Sequence, residues 1–202
     1  MKMDDKLLFY QEEVIKDKSP RKLVFWPRRA GKSTAIALEA ATWAIIKENK
    51  RIVVIDSINK TNLSVLWKDM RQFIIDAGAQ DMIERDVSAP YYKIQLTNGS
   101  CIRGFSAGRE GISVRGQDAD HIFIDNAGYI TQKALMGSIM PILQSTQDAT
   151  IAIYFSKMSE LMTELWKDED NSFINMEYCG EPVEDDHEGM VYNPFTERWS
   201  WL

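Results

Sequence analysis

The amino-acid sequence predicts an α/β domain built on a largely parallel sheet. Three observations predict it. Short apolar, β-prone runs recur along the chain, stretches with helical spacing separate most of them, and no internal repeat or low-complexity tract breaks the alternation. The length of 202 residues gives one domain with a sizeable core, with or without a short tail. With 24 Lys plus Arg against 30 Asp plus Glu and 45% hydrophobic residues, the chain is neither disordered nor a strongly basic nucleic-acid coat. A net charge of −6 still allows a local basic patch.

Cys101 and Cys179 are too few and too isolated for a disulfide framework or a cysteine zinc site. No apolar run reaches the roughly 20 residues that span a bilayer, and the charged residues 1–6 lead into no signal-peptide core. The expectation is a soluble protein in a reducing, intracellular setting.

Taken in order, residues 4–18 have helical spacing through Leu8, Gln11, Glu12 and Ile15, ending at Ser19-Pro20. Residues 22–26 read as a short buried strand, and 32–46, rich in alanine, as a helix. A second strand covers 51–55. A helix through Leu66, Met70, Phe73 and Ile74 follows the polar residues 59–62. Residues 92–96 and 101–105 flank Asn98-Gly99 and predict a hairpin. Gly104, Gly108, Gly111 and Gly116 make the next stretch a loop suited to lie close to a ligand. Residues 121–124 predict a core strand ending in Asp125, 133–140 a helix, and 150–155 another buried strand. A helix begins at Ser159 through Leu161, Leu165 and Trp166, and 173–178 add a strand. The acidic residues 181–188, which include Pro182, read as a boundary or linker, so the domain is expected to span 1–178 and a tail 179–202.

The strongest chemical signal lies between the first core strand and the alanine-rich helix: Trp26-Pro27-Arg28-Arg29-Ala30-Gly31-Lys32-Ser33-Thr34. It resembles a Walker A phosphate loop, with Trp26 where the usual pattern has its first glycine. Gly31 allows close backbone approach, Lys32 reaches terminal phosphates, and the first amides of the helix bind anionic oxygens. Ser33 is then the natural magnesium ligand. A basic turn with Ser33 as an ordinary cap is the alternative. One of the two guanidiniums is expected on the nucleotide, Arg28 ahead of Arg29; otherwise the pair is a solvated surface feature.

His121-Ile122-Phe123-Ile124-Asp125 has the apolar run and terminal carboxylate of a Walker B strand, which makes Asp125 the second magnesium-holding residue. Asn126 stands where a catalytic glutamate is expected, and an amide cannot accept a proton from water as a carboxylate can. Binding and turnover therefore separate: ATP and Mg²⁺ are expected as ligands, with hydrolysis reduced or abolished. Glu110, Asp118 and Asp120 are candidates for a substitute base, or solvated acids.

Together these residues resemble the ATPase domain of the large terminase subunit of tailed bacteriophages, the motor that packages DNA into a procapsid. The resemblance runs over residues 8–178. It implies a P-loop NTPase of the additional-strand (ASCE) type. Tyr10-Gln11 resembles the family's adenine-recognition segment, and Arg28 its γ-phosphate arginine. Arg109 or Arg115 is then the candidate arginine finger acting on a neighbouring subunit, or a loop anchor. The family's coupling motif falls on Tyr154-Phe155-Ser156-Lys157, which makes Ser156 a candidate contact to the γ-phosphate or water.

The resemblance further implies a homo-oligomeric ring acting on double-stranded DNA, with portal, procapsid and small terminase subunit as partners, in the cytoplasm of an infected bacterium. It stops short of the family's nuclease half, so an isolated domain, monomeric by itself, is expected. A helicase-like ATPase, a hydrolysis-deficient nucleotide-binding structural subunit and a sequence-reading DNA-binding protein are the competing readings. The last lacks any zinc pattern or recognition-helix motif.

Overall fold

A computed structural model describes residues 8–58, 60–88, 92–168, 170, 172–178, 190–193 and 198–201. The elements are α1 (Phe9–Lys16), β1 (Arg21–Phe25), α2 (Lys32–Ile46), β2 (Arg51–Asp56), α3 (Lys60–Asp76), β3 (Ile83–Val87), β4 (Tyr92–Leu96), β5 (Cys101–Ser106) and β6 (His121–Asp125). There follow α4 (Gln132–Ala134), a π-helical turn (Leu135–Ile139), α5 (Met140–Ser145), β7 (Thr150–Phe155), α6 (Glu160–Lys167), β8 (Ile174–Glu177), β9 (Met190–Asn193) and β10 (Arg198–Trp201).

Eight strands form one sheet in the order β3-β4-β5-β2-β6-β7-β1-β8. The six from β5 to β8 in that order are parallel, and β4 and β3 extend it antiparallel. This is the α/β, ASCE-type P-loop architecture: β7 is the additional strand between β1, which leads into the candidate phosphate loop, and β6, the Walker B candidate.

Alternation along the central strands divides their side chains between two cores. Val24, Ile52, Val54, Phe123 and Tyr154 pack with Val14, Ile36, Leu63 and Met70 of α1, α2 and α3. Leu23, Phe25, Val53, Ile55, Ile122, Ile124, Ile153 and Phe155 pack on the other face with Leu135, Ile139 and Met162. A sheet covered on both faces accounts for the near-continuous apolar runs that marked these strands. Helix α2 buries Ala35, Ala37, Ala40, Ala41 and Ala44, whose small side chains let it lie close to the sheet and to α3. One charged pair crosses this core. Lys22 Nζ donates to Val14 O (2.8 Å) and meets Glu39 Oε1 at 3.3 Å, and Tyr154 Oη donates to Glu39 Oε2 at 3.4 Å. Burial pushes the Glu39 carboxyl up, against the pull of Lys22.

Three elements differ from the expectation. The helix expected over 133–140 runs from 132 to 145 with a π-helical turn in its middle. Pro141 enters at the start of α5 and cannot donate to the carbonyl a turn earlier, so the ladder resets before it. Strand β3, Ile-Glu-Arg-Asp-Val, was not predicted. It is a charged edge strand recruited by pairing with β4, with no apolar alternation of its own. Beyond residue 178, β9 and β10 pair antiparallel as a separate two-stranded sheet in the expected tail. Cys179 and the acidic residues 181–188 lie outside the described residues.

Candidate functional site

The parallel strands deliver their carboxyl ends to one edge of the sheet, where ligands bind in open α/β folds. β1 leads through Trp26 into the phosphate-loop candidate. Its next sequential strand, β2, lies beyond β7 and β6, so α2 crosses over both and points its N-terminus into the crevice between β1 and β6.

Gly31 sits at φ 71°, in the left-handed region. A side chain there would also collide with Gln11, whose Nε2 lies 2.2 Å from the position of a Cβ. Gln11 and Tyr10 brace this loop. The Gln11 amide donates to Gly31 O (3.2 Å) and Ala30 O (3.5 Å), its Oε1 accepts the N–H of Leu8 (2.9 Å), and Tyr10 Oη donates to Ala30 O (3.2 Å). Gln11, the candidate adenine contact, and Tyr10, expected to pack nearby, are therefore buried beside the loop, with Gln11 Nε2 and Tyr10 Oη on its backbone.

Lys32 opens α2 and is 8% exposed, its Nζ donating to Pro27 O (2.6 Å) and Trp26 O (3.2 Å). Burial pushes the ammonium down to about 8, with Asp125 pulling it back up and Arg28 lowering it further. Ser33 Oγ donates to Asp125 Oδ2 at 2.6 Å, joining the helix N-terminus to the end of β6. Burial raises the Asp125 carboxyl, and neighbouring Asp56 adds to this while Ser33 opposes it. A serine hydroxyl and a buried carboxylate held together beside a helix N-terminus form an oxygen donor set that suits a hard divalent cation. Among the described residues no cluster of three or more His, Cys, Asp or Glu offers an all-protein metal cage. A cation here would need oxygens from a phosphate and water as well.

Arg28, Arg29 and Thr34 are exposed at the rim, with Arg29 at φ 65°. Arg28 Nη2 donates to Tyr129 Oη at 3.3 Å, and Lys157 Nζ stands 5.1 Å over the Tyr129 ring. Tyr129 and Lys157 thus join Arg28 at the mouth of the candidate loop, so that two cations meet on one ring. Neither was singled out from the sequence for this, and no spacing rule would have found them. Gly128 permits the approach, since a Cβ there would lie 2.3 Å from Lys157 O. Ser156 directly follows β7, between the ends of β1 and β6.

The two finger candidates separate. Arg115 Nε donates to Ser138 Oγ at 2.8 Å, and Ser138 in turn donates to Glu110 O, pinning the glycine-rich loop to the π-helical turn. Arg109 is exposed, and its backbone carbonyl accepts the Thr131 hydroxyl. The substitute-base candidates are occupied elsewhere. Glu110 pairs with Lys133 at 2.7 Å, and Asp118 with Arg51 at 3.5 Å. Asp120 takes three hydrogen bonds from Arg51 at the opposite end of β6.

The carboxylate that does lie at the site is Asp56, the last residue of β2. It is in register with Asp125, is 1% exposed, and accepts the Asn126 amide at 2.8 Å. The run Arg51–Asp56 ends in an acid much as the Walker B run does, which was the available signal.

No family model and no curated protein matches the sequence. Solved structures do match it. The ATPase domain of the Thermus phage P74-26 large terminase superposes with a TM-score of 0.69 at 17% identity, over 85% of this chain and 80% of that one. The fold is that of a large-terminase ATPase domain. The large terminase of a thermophilic bacteriophage, solved in complex with ADP, gives 0.68 at 12% identity over 86% of this chain and 46% of that one. That of bacteriophage HK97 gives 0.67 at 13% over 89% and 41%. This chain therefore spans most of an isolated terminase ATPase domain and under half of the longer terminase chains. Among the described residues no helix is long and apolar enough to cross a membrane.

Proposed function

We propose that this domain binds ATP with magnesium and hydrolyses it to drive double-stranded DNA into a viral procapsid. The observation that carries the reading is the 2.6 Å link between Ser33 on the phosphate loop and Asp125 at the end of β6, with Lys32 buried beside it. The terminase fold supports the motor role, and the thermophilic-phage terminase was solved with ADP and with ATP-γ-S.

In this reading the first amides of α2 and the Lys32 ammonium receive the β- and γ-phosphates. Arg28 and Lys157 supply further positive charge at the mouth, Arg29 and Thr34 line it, and Ser156 lies between loop and carboxylate. Magnesium held by Ser33 and Asp125 would neutralise charge across the two phosphates. Tyr10 and Gln11 act on the nucleotide through the loop they brace, and adenine contact is their alternative role. Arg109, or Arg115 once released from Ser138, serves a neighbouring subunit in a homo-oligomeric ring. Movement is transmitted to DNA through its phosphate backbone. Portal and small terminase subunit complete the machine in the cytoplasm of the infected bacterium. Asn126 gives a slower site than a carboxylate would.

The test is titration of a fluorescent ATP analogue with and without magnesium. Affinity should rise at least about tenfold with the metal, and Asp125→Asn should lose that gain while still binding nucleotide. Metal-independent affinity in the unaltered protein would overturn the reading.

A further inference from the structure

We propose that Asp56 is the positioning residue of the water side of this site, holding the Asn126 amide so that its oxygen orients the water that attacks ATP. This rests on the ATP-hydrolysis reading above. Asp56 closes β2 directly beside Asp125 on β6. Both its oxygens are engaged: Oδ1 accepts the Ile58 N–H at 2.8 Å, and Oδ2 accepts Asn126 Nδ2 at 2.8 Å. An ionised carboxylate only accepts hydrogen bonds, so it fixes which end of the amide faces it. The NH₂ must turn toward Asp56, which leaves Asn126 Oδ1 as the amide's outward acceptor.

The backbone completes the arrangement. Asn126 takes a left-handed conformation, φ 56°, with its N–H donating to Asp125 Oδ1 at 2.8 Å. It is only half-buried, so the amide oxygen can meet water while Asp56 behind it cannot. A side-chain amide can orient attacking water in nucleotide hydrolysis without taking its proton. The negative charge behind the NH₂ polarises the amide and strengthens Oδ1 as an acceptor.

The reaction balances without a protein base. The water oxygen bonds to the γ-phosphorus, the bond from phosphorus to the bridging oxygen breaks, and ADP leaves with that electron pair. The water proton ends on an oxygen of the released phosphate.

Asp56→Asn inverts the arrangement. Asparagine has one acceptor where two are needed. The fixed Ile58 N–H keeps it, so the new NH₂ faces residue 126 and turns the Asn126 amide around. The experiment measures ATP affinity, melting temperature, KM and kcat at saturating magnesium. Asp56→Asn should lower kcat about 100-fold, with KM and affinity within about threefold. Asn126→Ala should do the same with Asp56 intact, which keeps the test open if Asp56→Asn does not fold.

A swap separates positioning from mere structure. Asn126→Glu alone sets a carboxylate against buried Asp56, whereas Asp56→Asn with Asn126→Glu gives the new glutamate an amide donor. The double variant should turn over at least about tenfold faster than either single one. Unchanged kcat in Asp56→Asn or Asn126→Ala, no advantage of the double variant, or ATP bound but never hydrolysed by the unaltered protein would each overturn the proposal. Failure to bind ATP at all would overturn the reading beneath it instead, and the affinity measurement tells the two apart.

Discussion

The two ends of β6 carry similar residues and treat them in opposite ways. Where the strand begins, Asp120 accepts the backbone N–H, Nε and Nη2 of Arg51, and His121 is buried under Trp43 with ring centroids 3.8 Å apart. Where it ends, Asp125 accepts Ser33 and lies beside a second buried carboxylate, Asp56. The ends are about 16 Å apart at the usual rise of a strand. One end spends its polar groups on holding the sheet, and the other holds two buried carboxyl groups together beside a helix N-terminus. A second carboxyl group beside Asp125 is costly in the free protein, and the proposed magnesium site would account for its place there.

The largest effect expected from breaking this contrast is at Lys32. Lys32→Ala should weaken ATP binding about 100-fold, the loss of charge-assisted hydrogen bonds to phosphate, and remove turnover. Isothermal titration measures it. Alanine at Asp120, on the same strand system but at the other end, should leave affinity unchanged. Equal losses from the two would erase the distinction.

Next comes the acid response of the holding end. Burial pushes His121 down to about 4 from an ordinary 6.5, Lys50 adds to this, and Asp120 opposes it. Its Nδ1 meets Thr150 Oγ1 at 2.6 Å, while Nε2 has no hydrogen-bond partner among the described residues. The native state therefore keeps the ring neutral, and the unfolded chain takes up a proton near 6.5. That contribution to stability is intact above pH 6.5 and falls as the pH drops toward 4, amounting to about 2 kcal/mol between pH 8 and pH 5. His121→Phe should match the parent in denaturant melts at pH 8 and lose about 2 kcal/mol less on going to pH 5. Identical pH profiles would rule out His121 as the cause.

A smaller loss is expected at Asp120 itself. Burial alone would raise its carboxyl, yet the Arg51 side chain and backbone N–H hold it below the usual range. Arg51 is partly exposed, so solvent screening limits the pair. Asp120→Ala should cost about 1–2 kcal/mol in a urea titration, most of it through the backbone N–H left unpaired.

The same contrast explains what could be read from the sequence. The central strands were legible because burial on both faces gives continuous apolar runs, and the strand-turn-helix that carries the candidate phosphate loop because Gly31, Lys32 and Ser33 stand together between an apolar run and an alanine-rich one. Edge strand β3 was not, since its pairing comes from β4. Asp56 was passed over because its meaning depends on register. Nothing near it in the sequence says that β2 lies against β6 and not β1. Tyr129 and Lys157 likewise meet Arg28 only through the fold. Asp120 was weighed as a base because it lies in the loop that precedes the β6 run, and the length of that strand sets it apart from Asp125.

The smallest effect sharpens the reading of the loop itself. Gln11 could serve ATP by touching adenine or by stiffening the phosphate loop, and its three hydrogen bonds to Ala30, Gly31 and Leu8 favour the second. A brace acts on any nucleoside triphosphate alike, because in the proposed site the loop would meet only phosphates. An adenine contact acts on ATP and spares GTP. Gln11→Ala should therefore weaken ATP and GTP equally, by about fivefold, the worth of about one net hydrogen bond. Competition titrations with the two nucleotides measure the ratio. A selective loss of ATP would move Gln11 to the base side of the site and leave Tyr10 as the brace.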